Sequence, residues 1–299
     1  MIKDVFRAFR FPFISASILP YIAGSLLKKG GFDPVAFSLG ALIVLCTHLS
    51  ANLINDYADA KSGVDYFDRT FYGFFGGSKL IQEKVFSEKF YLSAALLFAI
   101  FSLICVAALC FLLKRPEIVP YYFLILFLGW AYSARPARLS YRRLGEPVIF
   151  LLFGPATVMG GYFIQAGVFP DTKSFLLSLP FGFFTAAILF ANEIPDFRED
   201  EKGGKLTWVG FLGQEKSYLI YILFIFCGLA SVFLNISSGN LSFFSISCTV
   251  MLFPAFFAAG TLKKYPLEKK MLVRSSKATI SIQALTGLIL ILDLLWLRS

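Results

Sequence analysis

The sequence predicts an all-α polytopic membrane protein with nine transmembrane helices, and three observations lead to that prediction. Of the 299 residues, 57% are hydrophobic and only 16% are charged, whereas soluble domains carry about a quarter charged residues. The mean hydropathy is +0.71. Apolar stretches close to the length that crosses a bilayer as a helix recur along the whole chain.

Nine apolar stretches define the predicted helices. In chain order they cover 11–27, 35–54, 90–113, 118–134, 146–167, 174–194, 217–235, 241–261 and 278–297. The stretch at 118–134 is among the shortest. No polar block between them is large enough to form a second domain, so residues 1–299 are predicted to form one integral-membrane domain.

Long and short connections alternate along the chain, and the long ones are basic. The long connections are 55–89, 135–145, 195–216 and 262–277. Together with the segment before the first stretch, they hold 22 of the 28 Lys and Arg residues. The positive-inside rule therefore predicts a cytoplasmic N-terminus and cytoplasmic long loops, in a membrane of the bacterial inner type. The net charge of +9 follows from this orientation and from affinity for anionic lipid, so no nucleic-acid partner is predicted.

Two acidic clusters interrupt the apolar pattern. Residues 52–65 read NLINDYADAKSGVD and residues 192–205 read NEIPDFREDEKGGK; windows 56–68 and 193–201 hold nine of the 19 acidic residues. Carboxylates in a membrane helix are costly, about 2.5–3.5 kcal/mol each at the helix centre, so the clusters indicate a strong partner such as a divalent cation. The clusters follow the second and sixth predicted helices. Because an even number of spans separates them, the two clusters are predicted to lie on the same side of the membrane.

Each cluster predicts a stripe of oxygen ligands on one helix face. Asn52, Asp56 and Asp59 are spaced i, i+4, i+7. Gly63 is predicted to end that helix and to let Asp65 turn back towards the stripe.

The second stripe consists of Asn192, Asp196 and Asp200, and Pro195 is predicted to kink its helix and free a backbone carbonyl. Two such stripes would hold two or three Mg²⁺ ions, and a diphosphate would bridge them because Mg²⁺ shares its coordination with phosphates. The alternative is that these acids are ordinary loop charges. Their partners would then be Lys61, Arg69, Arg198 and Lys202.

These motifs resemble those of a known family. NDYADAKSGVD resembles the first aspartate-rich motif of the UbiA superfamily of intramembrane prenyltransferases, and IPDFREDEKGGKLT resembles the second. Three further stretches resemble the MenA-type branch, which prenylates 1,4-dihydroxy-2-naphthoate in menaquinone synthesis. They are GGSKLIQ at 76–82, YSARPARLSYRRLGE at 132–146 and FGPATVMGGYFIQAG at 153–167. The resemblance covers most of residues 10–215.

The resemblance implies nine transmembrane helices around a central cavity closed by cytoplasmic cap loops. It also implies Mg²⁺-dependent transfer of a polyprenyl group from polyprenyl diphosphate to an aromatic acceptor, with 1,4-dihydroxy-2-naphthoate favoured and the oligomeric state left open. The resemblance implies that the catalytic, Mg²⁺-binding carboxylates are Asp56, Asp59, Asp196 and Asp200. It implies that Asp65 is a further Mg²⁺ ligand. It also implies that Asn52 and Asn192 bind the diphosphate. Ala60 departs from the family pattern Asn-x3-Asp-x3-Asp, and Asp59 is the expected substitute.

Basic and aromatic residues complete the predicted site. The candidate donors to phosphate oxygens are Arg69, Lys79, Arg135 and Lys205, although each is also explained by the positive-inside rule. The candidate aromatic lining, which would stabilise an allylic cation, is Tyr132, Tyr141 and Tyr162. With 36 Phe and 13 Tyr in the chain, packing or lipid contact is the more common role for any one of them.

Other functions stay open at this level. The acceptor can instead be 4-hydroxybenzoate, homogentisate, a chlorophyllide, haem or a glycerol phosphate. A cation- or proton-coupled transporter would need acids near the bilayer midplane, whereas these lie at helix ends. A diphosphate cyclase or hydrolase shares the metal site. His48 is predicted to be a hydrogen-bonded core residue, and Asp293 is predicted to reach towards the outer face.

Overall fold

The computed structural model describes residues 2–298, and the regular structure in this range is helical apart from one isolated bridge between Arg142 and Leu206. The α-helices are α1 Ile2–Ala8, α2 Ser15–Leu27, α3 Pro34–Ser62, α4 Glu88–Leu113, α5 Ile118–Ala131, α6 Gly145–Leu151, α7 Thr157–Ala166, α8 Thr172–Lys202, α9 Trp208–Leu212, α10 Gln214–Ser237, α11 Leu252–Lys264 and α12 Lys269–Trp296. A π-helical turn at Leu152–Ala156 joins α6 to α7, and a 3₁₀ segment at Phe243–Met251 leads into α11.

The prediction of an all-α membrane fold is confirmed. Within residues 2–298, seven helical segments are long and apolar enough to cross a membrane, and the bent pair Ile2–Ala8 and Phe11–Leu27 raises the number to eight. The remaining predicted stretch, 118–134, corresponds to α5, which has only 14 residues. Large apolar side chains such as Phe111, which is 88% exposed, cover the outside of the bundle, as expected for a surface in contact with lipid.

The two longest helices bring the acidic clusters to the same end of the bundle. Asp33 caps the start of α3 by accepting the N–H of Val35 at 2.9 Å, and Asp171 caps α8 in the same way. At their other ends, the segment after α3 packs on the segment after α8. A Cβ on Gly203 would lie 2.0 Å from a methyl group of Val64, so this approach requires glycine. We refer to the end formed by residues 56–68 and 193–205 as the acidic end.

Asp293 corrects one expectation. It was predicted to reach towards the outer face, but its side chain in α12 is fully buried. Its carboxylate accepts the backbone N–H of Ser242 at 2.9 Å and the hydroxyls of Ser242 and Ser245. One backbone N–H and two hydroxyls at the start of the 3₁₀ segment therefore satisfy a buried carboxylate that would otherwise be costly.

Candidate active site

One long cavity of about 650 Å³ opens at the acidic end and continues into the apolar bundle. It borders α3 from Gly40 to Asp59, which is about 28 Å at roughly 1.5 Å per residue. At the acidic end it is lined by the carboxylates of Asp59, Asp65, Asp68, Glu193, Asp196, Glu199 and Asp200 and by the cations Arg10, Lys79, Lys205 and Lys269. The deeper wall is apolar and includes Ile43, Val106 and Ile188.

The cavity also reaches the outer surface of the bundle between α5 and α6. Leu124 and Leu151 both line it, yet 56% and 48% of their surfaces are exposed. The cavity wall at this position is therefore formed by apolar side chains that are partly exposed.

The two aspartates of the first acidic stripe lie in different environments, one at the cavity and one in a buried ion pair. Asp59 lines the cavity and accepts hydrogen bonds from the hydroxyl of Tyr141 at 2.8 Å and the amide of Asn55 at 3.3 Å. Asp56 is only 2% exposed, and Arg10 donates to one of its oxygens. The other oxygen of Asp56 is buried without a hydrogen-bond partner. Arg10 is thus ion-paired with Asp56, which is one of the predicted metal ligands.

Asp65 turns back towards the stripe, as the position of Gly63 predicts. It is buried and forms an ion pair with Lys79 at 2.9 Å. Burial raises the pKa of Asp65 to about 7, with a further contribution from the charges of Asp59 and Asp56 that Lys79 opposes.

The second acidic stripe faces the first across the cavity. Asn192, Asp196 and Asp200 all line it, and α8 continues through Pro195 without a break. Asp196 accepts the backbone N–H of Gly76 at 2.8 Å. Asp200 lies 3.3 Å from the ammonium of Lys205. The acids of the two stripes interact electrostatically, since the charges of Asp59 and Asp65 both act on Asp200.

A glycine-containing loop at 73–79 connects the two stripes. Its Gly76 bonds to Asp196, and its Lys79 bonds to Asp65. Gly77 has a φ of +78°, and a Cβ there would lie 2.9 Å from an oxygen of Asp65. Only glycine allows the backbone to lie this close to the carboxylates. The loop therefore covers the acidic end of the cavity.

Two of the four predicted phosphate donors lie at the cavity and two do not. Lys79 and Lys205 line it. Burial lowers the pKa of Lys205, but the attraction of Asp200 and Asp59 outweighs it and raises that pKa well above the usual value. Arg69 and Arg135 are exposed and do not line the cavity.

Arg10 and Lys269 are cations of the cavity that the sequence did not single out. Lys269 donates to Asp68 at 2.8 Å and to Glu199 at 2.9 Å, and so connects the two acidic segments at the cavity mouth. Burial raises the pKa of Asp68, but hydrogen bonds from Lys269 and Thr70 outweigh it and hold that pKa at about 2. The only signal for Arg10 was its place directly before the first apolar stretch.

The three predicted aromatic residues occupy different places. Tyr132 lines the cavity. Tyr141 is not part of the lining but donates to Asp59; burial and that carboxylate raise the pKa of its hydroxyl, which keeps it protonated. Tyr162 is half-buried on α7 and does not line the cavity. The lining has further aromatic side chains that the sequence did not single out: Phe13, Tyr21, Tyr72, Phe74, Phe75, Tyr121, Tyr122, Phe153, Phe163 and Phe169.

His48 is a buried, hydrogen-bonded residue, as expected. Its Nε2 lies 2.8 Å from the side-chain amide of Asn52, and its Nδ1 pairs with the hydroxyl of Ser17. The ring also packs edge-on against Phe153. His48 thereby fixes the orientation of Asn52 at the cavity wall.

The donor set at the acidic end fits Mg²⁺. Its groups are carboxylate and amide oxygens, which are the ligands that hard cations prefer, and oxygens of Asp56 and Asn192 are buried without hydrogen-bond partners. Across the described residues, no three His, Cys, Asp or Glu side chains converge closely enough to hold an ion by themselves. A site of this kind suits Mg²⁺, which binds one or two carboxylates and completes its shell with phosphate oxygens and water.

Solved structures share this fold. An apo UbiA homolog from Aeropyrum pernix K1 superposes with a TM-score of 0.73 at 13% identity, covering 95% of this chain and 98% of that one. A UbiA homolog from Archaeoglobus fulgidus, described as bound to GPP and Mg²⁺, superposes with a TM-score of 0.60 at 14% identity, covering 96% of this chain and 99% of that one.

Curated relatives and a family profile extend the similarity to the sequence. UbiA prenyltransferase domain-containing protein 1 from Danio rerio is 30% identical over 220 residues, and its counterpart from Homo sapiens is 29% identical over 224. Each alignment covers 71% of this chain and 62% of the relative, so the chain spans less than two thirds of the relatives' length. The profile of the UbiA prenyltransferase family matches residues 17–275. The chain therefore belongs to the UbiA prenyltransferase family.

Proposed function

We propose that this protein transfers a polyprenyl group from polyprenyl diphosphate to 1,4-dihydroxy-2-naphthoate in a Mg²⁺-dependent reaction. One observation carries the proposal: two carboxylate clusters face each other at the acidic end of a single long apolar cavity. A prenyl diphosphate has the matching shape, with a multiply charged head and a long hydrocarbon tail. The acidic end would face the cytoplasm, in agreement with the positive-inside rule.

The acidic end would hold the diphosphate. Bound Mg²⁺ would neutralise the departing diphosphate and so favour ionisation of the allylic C–O bond. Asp56, Asp59 and Asp65 would hold it from one side, and Asp196 and Asp200 from the other. The A. fulgidus homolog, which has the same fold, is described as bound to GPP and Mg²⁺.

Cations and amides of the same end would position the phosphate oxygens. Lys79, Lys205 and Arg10 line the cavity there and carry the donors that phosphate binds best. The side-chain amides of Asn52 and Asn192 line it as well. Arg10 would leave Asp56 when a metal ion takes its place and would then donate to the diphosphate.

The apolar part of the cavity would hold the prenyl chain. The chain would enter from the membrane between α5 and α6, where Leu124 and Leu151 are exposed. Aromatic faces near the acidic end, including those of Tyr132, Tyr72 and Phe153, line the wall. They would stabilise the allylic cation and keep water away from it until the acceptor attacks.

The three stretches that resemble the dihydroxynaphthoate branch support the choice of acceptor, because each contributes to the cavity. Stretch 76–82 forms part of the loop that bonds to Asp196. Stretch 132–146 contributes Tyr132 to the lining, and stretch 153–167 supplies the wall formed by the π-helical turn and α7. An acceptor bound in this cavity would lie near these segments.

The acceptor assignment is tested by incubating the purified protein with labelled prenyl diphosphate, Mg²⁺ and a panel of acceptors. We expect prenylated product from 1,4-dihydroxy-2-naphthoate, loss of product with EDTA, and recovery when Mg²⁺ is restored. Preferred prenylation of 4-hydroxybenzoate, homogentisate or a glycerol phosphate would contradict the assignment. Product formed without any acceptor would indicate a cyclase or hydrolase, and ion flux in proteoliposomes without prenyl transfer would indicate a transporter.

A further inference from the structure

Lys269, the first residue of α12, lies at the mouth of the cavity between one carboxylate from each acidic segment. Its ammonium donates to Asp68 at 2.8 Å and to Glu199 at 2.9 Å. Asp68 follows Asp65 by three residues, and Glu199 follows Asp196 by three. Neither partner belongs to the carboxylates proposed to hold Mg²⁺, so Lys269 bridges the two segments without occupying a proposed metal ligand.

Each of the other three cations at the acidic end is ion-paired with a single acidic segment. These pairs are Arg10 with Asp56, Lys79 with Asp65 and Lys205 with Asp200. Among the described residues that line this end, Lys269 is the cation that pairs with both segments at once. A divalent ion bound between two carboxylates would make the same kind of bridge.

One N–H of the Lys269 ammonium remains available for a ligand. A lysine ammonium has three N–H donors, and within residues 2–298 only two of them have hydrogen-bonding partners, Asp68 and Glu199. The ammonium also lies 5.5 Å from the centre of the Tyr72 ring, whose hydroxyl donates to Asp68 at 3.3 Å. Lys269 lines the cavity and keeps 18% of its side chain exposed, so a ligand in the cavity can reach the third donor.

The polarity of the cavity determines which phosphate would lie near Lys269. The prenyl chain is attached to the first phosphate and would extend into the apolar part, so the terminal phosphate would lie towards the mouth. On α8, Glu199 lies about 4.5 Å beyond Asp196 in the direction of the helix C-terminus, at a rise of 1.5 Å per residue. Its partner Lys269 is therefore on the mouth side of Asp196.

We propose that Lys269 binds the terminal phosphate of the prenyl diphosphate and so selects a diphosphate over a monophosphate; this inference rests on the proposed function. Two of its N–H groups are fixed by carboxylates, so the third is oriented before the substrate arrives. Its positive charge adds to the stabilisation of the departing diphosphate. A prenyl monophosphate has no second phosphate to reach this position.

The role of Lys269 is tested with Lys269→Met, which removes the ammonium and keeps a side chain of similar length. Calorimetric titration in detergent with Mg²⁺ compares two ligands, geranyl thiodiphosphate and geranyl monophosphate. Loss of one charge-assisted contact weakens binding about 10-fold to 100-fold, so we expect the Kd of the thiodiphosphate to rise by that factor. The Kd of the monophosphate, which lacks the contact, should change less than about threefold.

The neighbouring residue Lys270 supplies the matched control. Lys270 is exposed and does not line the cavity. The Lys270→Met variant loses the same charge at almost the same place in the chain, and both Kd values should equal those of the wild type. An effect of Lys270→Met as large as that of Lys269→Met would indicate a general loss of positive charge and would overturn the assigned contact.

A double variant, Asp68→Asn with Glu199→Gln, separates a phosphate contact from a structural bridge. It removes both negative partners and keeps the ammonium, so the Kd of the thiodiphosphate should stay within about threefold of the wild type or fall. Adding Lys269→Met to this background removes the ammonium without leaving unpaired carboxylates, and should raise that Kd about 10-fold to 100-fold. A Kd that rises as much in the double variant as in Lys269→Met would show that Lys269 only joins the two segments, and would overturn the inference.

The outcomes separate this inference from the proposed function. A wild-type protein that binds the thiodiphosphate more tightly than the monophosphate, together with a Lys269→Met variant that keeps the same ratio of Kd values, would overturn the role of Lys269 alone. Equal affinity of the wild type for the two ligands would also overturn it. A wild-type protein that binds neither ligand in the presence of Mg²⁺ would overturn the proposed function and the inference with it.

Discussion

Replacing Asp196 with Asn is expected to lower prenyl transfer by at least about 100-fold while the protein stays folded. Asn has nearly the same shape, and its carbonyl oxygen can still accept the N–H of Gly76, which Asp196 bonds at 2.8 Å in the wild type. The variant removes a negative charge from the centre of the second stripe. Loss of one preorganised electrostatic contact at a reacting group costs about 100-fold to 1,000-fold in kcat.

Initial rates over a range of Mg²⁺ concentrations measure this effect, with the melting temperature in detergent as a check on folding. Glu201→Gln is the matched control, because Glu201 is an exposed acid on the same helix that does not line the cavity. It should keep the wild-type rate. Wild-type activity of the Asp196→Asn variant at low Mg²⁺ concentration would show that the second stripe is not part of the metal site.

Replacing Arg10 with Ala is expected to have opposite effects on metal binding and on catalysis. In the structure Arg10 pairs with Asp56, which is 2% exposed. Because Asp56 is buried, removing Arg10 leaves its charge uncompensated and destabilises the protein. We therefore expect a lower melting temperature without metal and a larger increase on adding Mg²⁺ than in the wild type, because the ion then binds an unoccupied carboxylate.

The same variant should lower kcat/KM for prenyl diphosphate by about 10-fold to 100-fold, since a charge-assisted phosphate contact is lost. Arg7→Ala is the matched control: Arg7 lies one turn earlier and pairs with Glu83 at 2.7 Å, outside the lining of the large cavity. It should affect neither the Mg²⁺-induced shift nor kcat/KM. Equal Mg²⁺-induced shifts in Arg10→Ala and the wild type would show that Arg10 does not compete with the metal ion.

The acidic end was predictable because local rules determine it. The spacing of Asn52, Asp56 and Asp59 defines a helix face, and the even number of spans between the clusters places them on the same side. Gly63 predicts the turn that brings Asp65 back to the stripe. Helix periodicity and topology need no knowledge of tertiary contacts, and the structure brings both clusters to one cavity.

Contacts between distant parts of the chain were not predictable in this way. Arg10 and Asp56, or Asp68 and Lys269, are each separated by more than 40 residues, and no periodicity relates them. For Arg69 the sequence indicates a charge near the site but not the direction of its side chain, which is exposed in the structure. Loop geometry decides such directions, and loops have no repeating pattern from which to derive it.

The two acidic clusters are proposed to form one site for metal ions and diphosphate. Anomalous diffraction from crystals grown with Mn²⁺ and a non-hydrolysable prenyl thiodiphosphate tests it most directly. We predict anomalous peaks next to Asp59 and Asp65 and next to Asp196 and Asp200, with diphosphate density between them and the prenyl chain in the apolar cavity. Peaks at only one of the two clusters, or diphosphate density outside the acidic end, would contradict the claim.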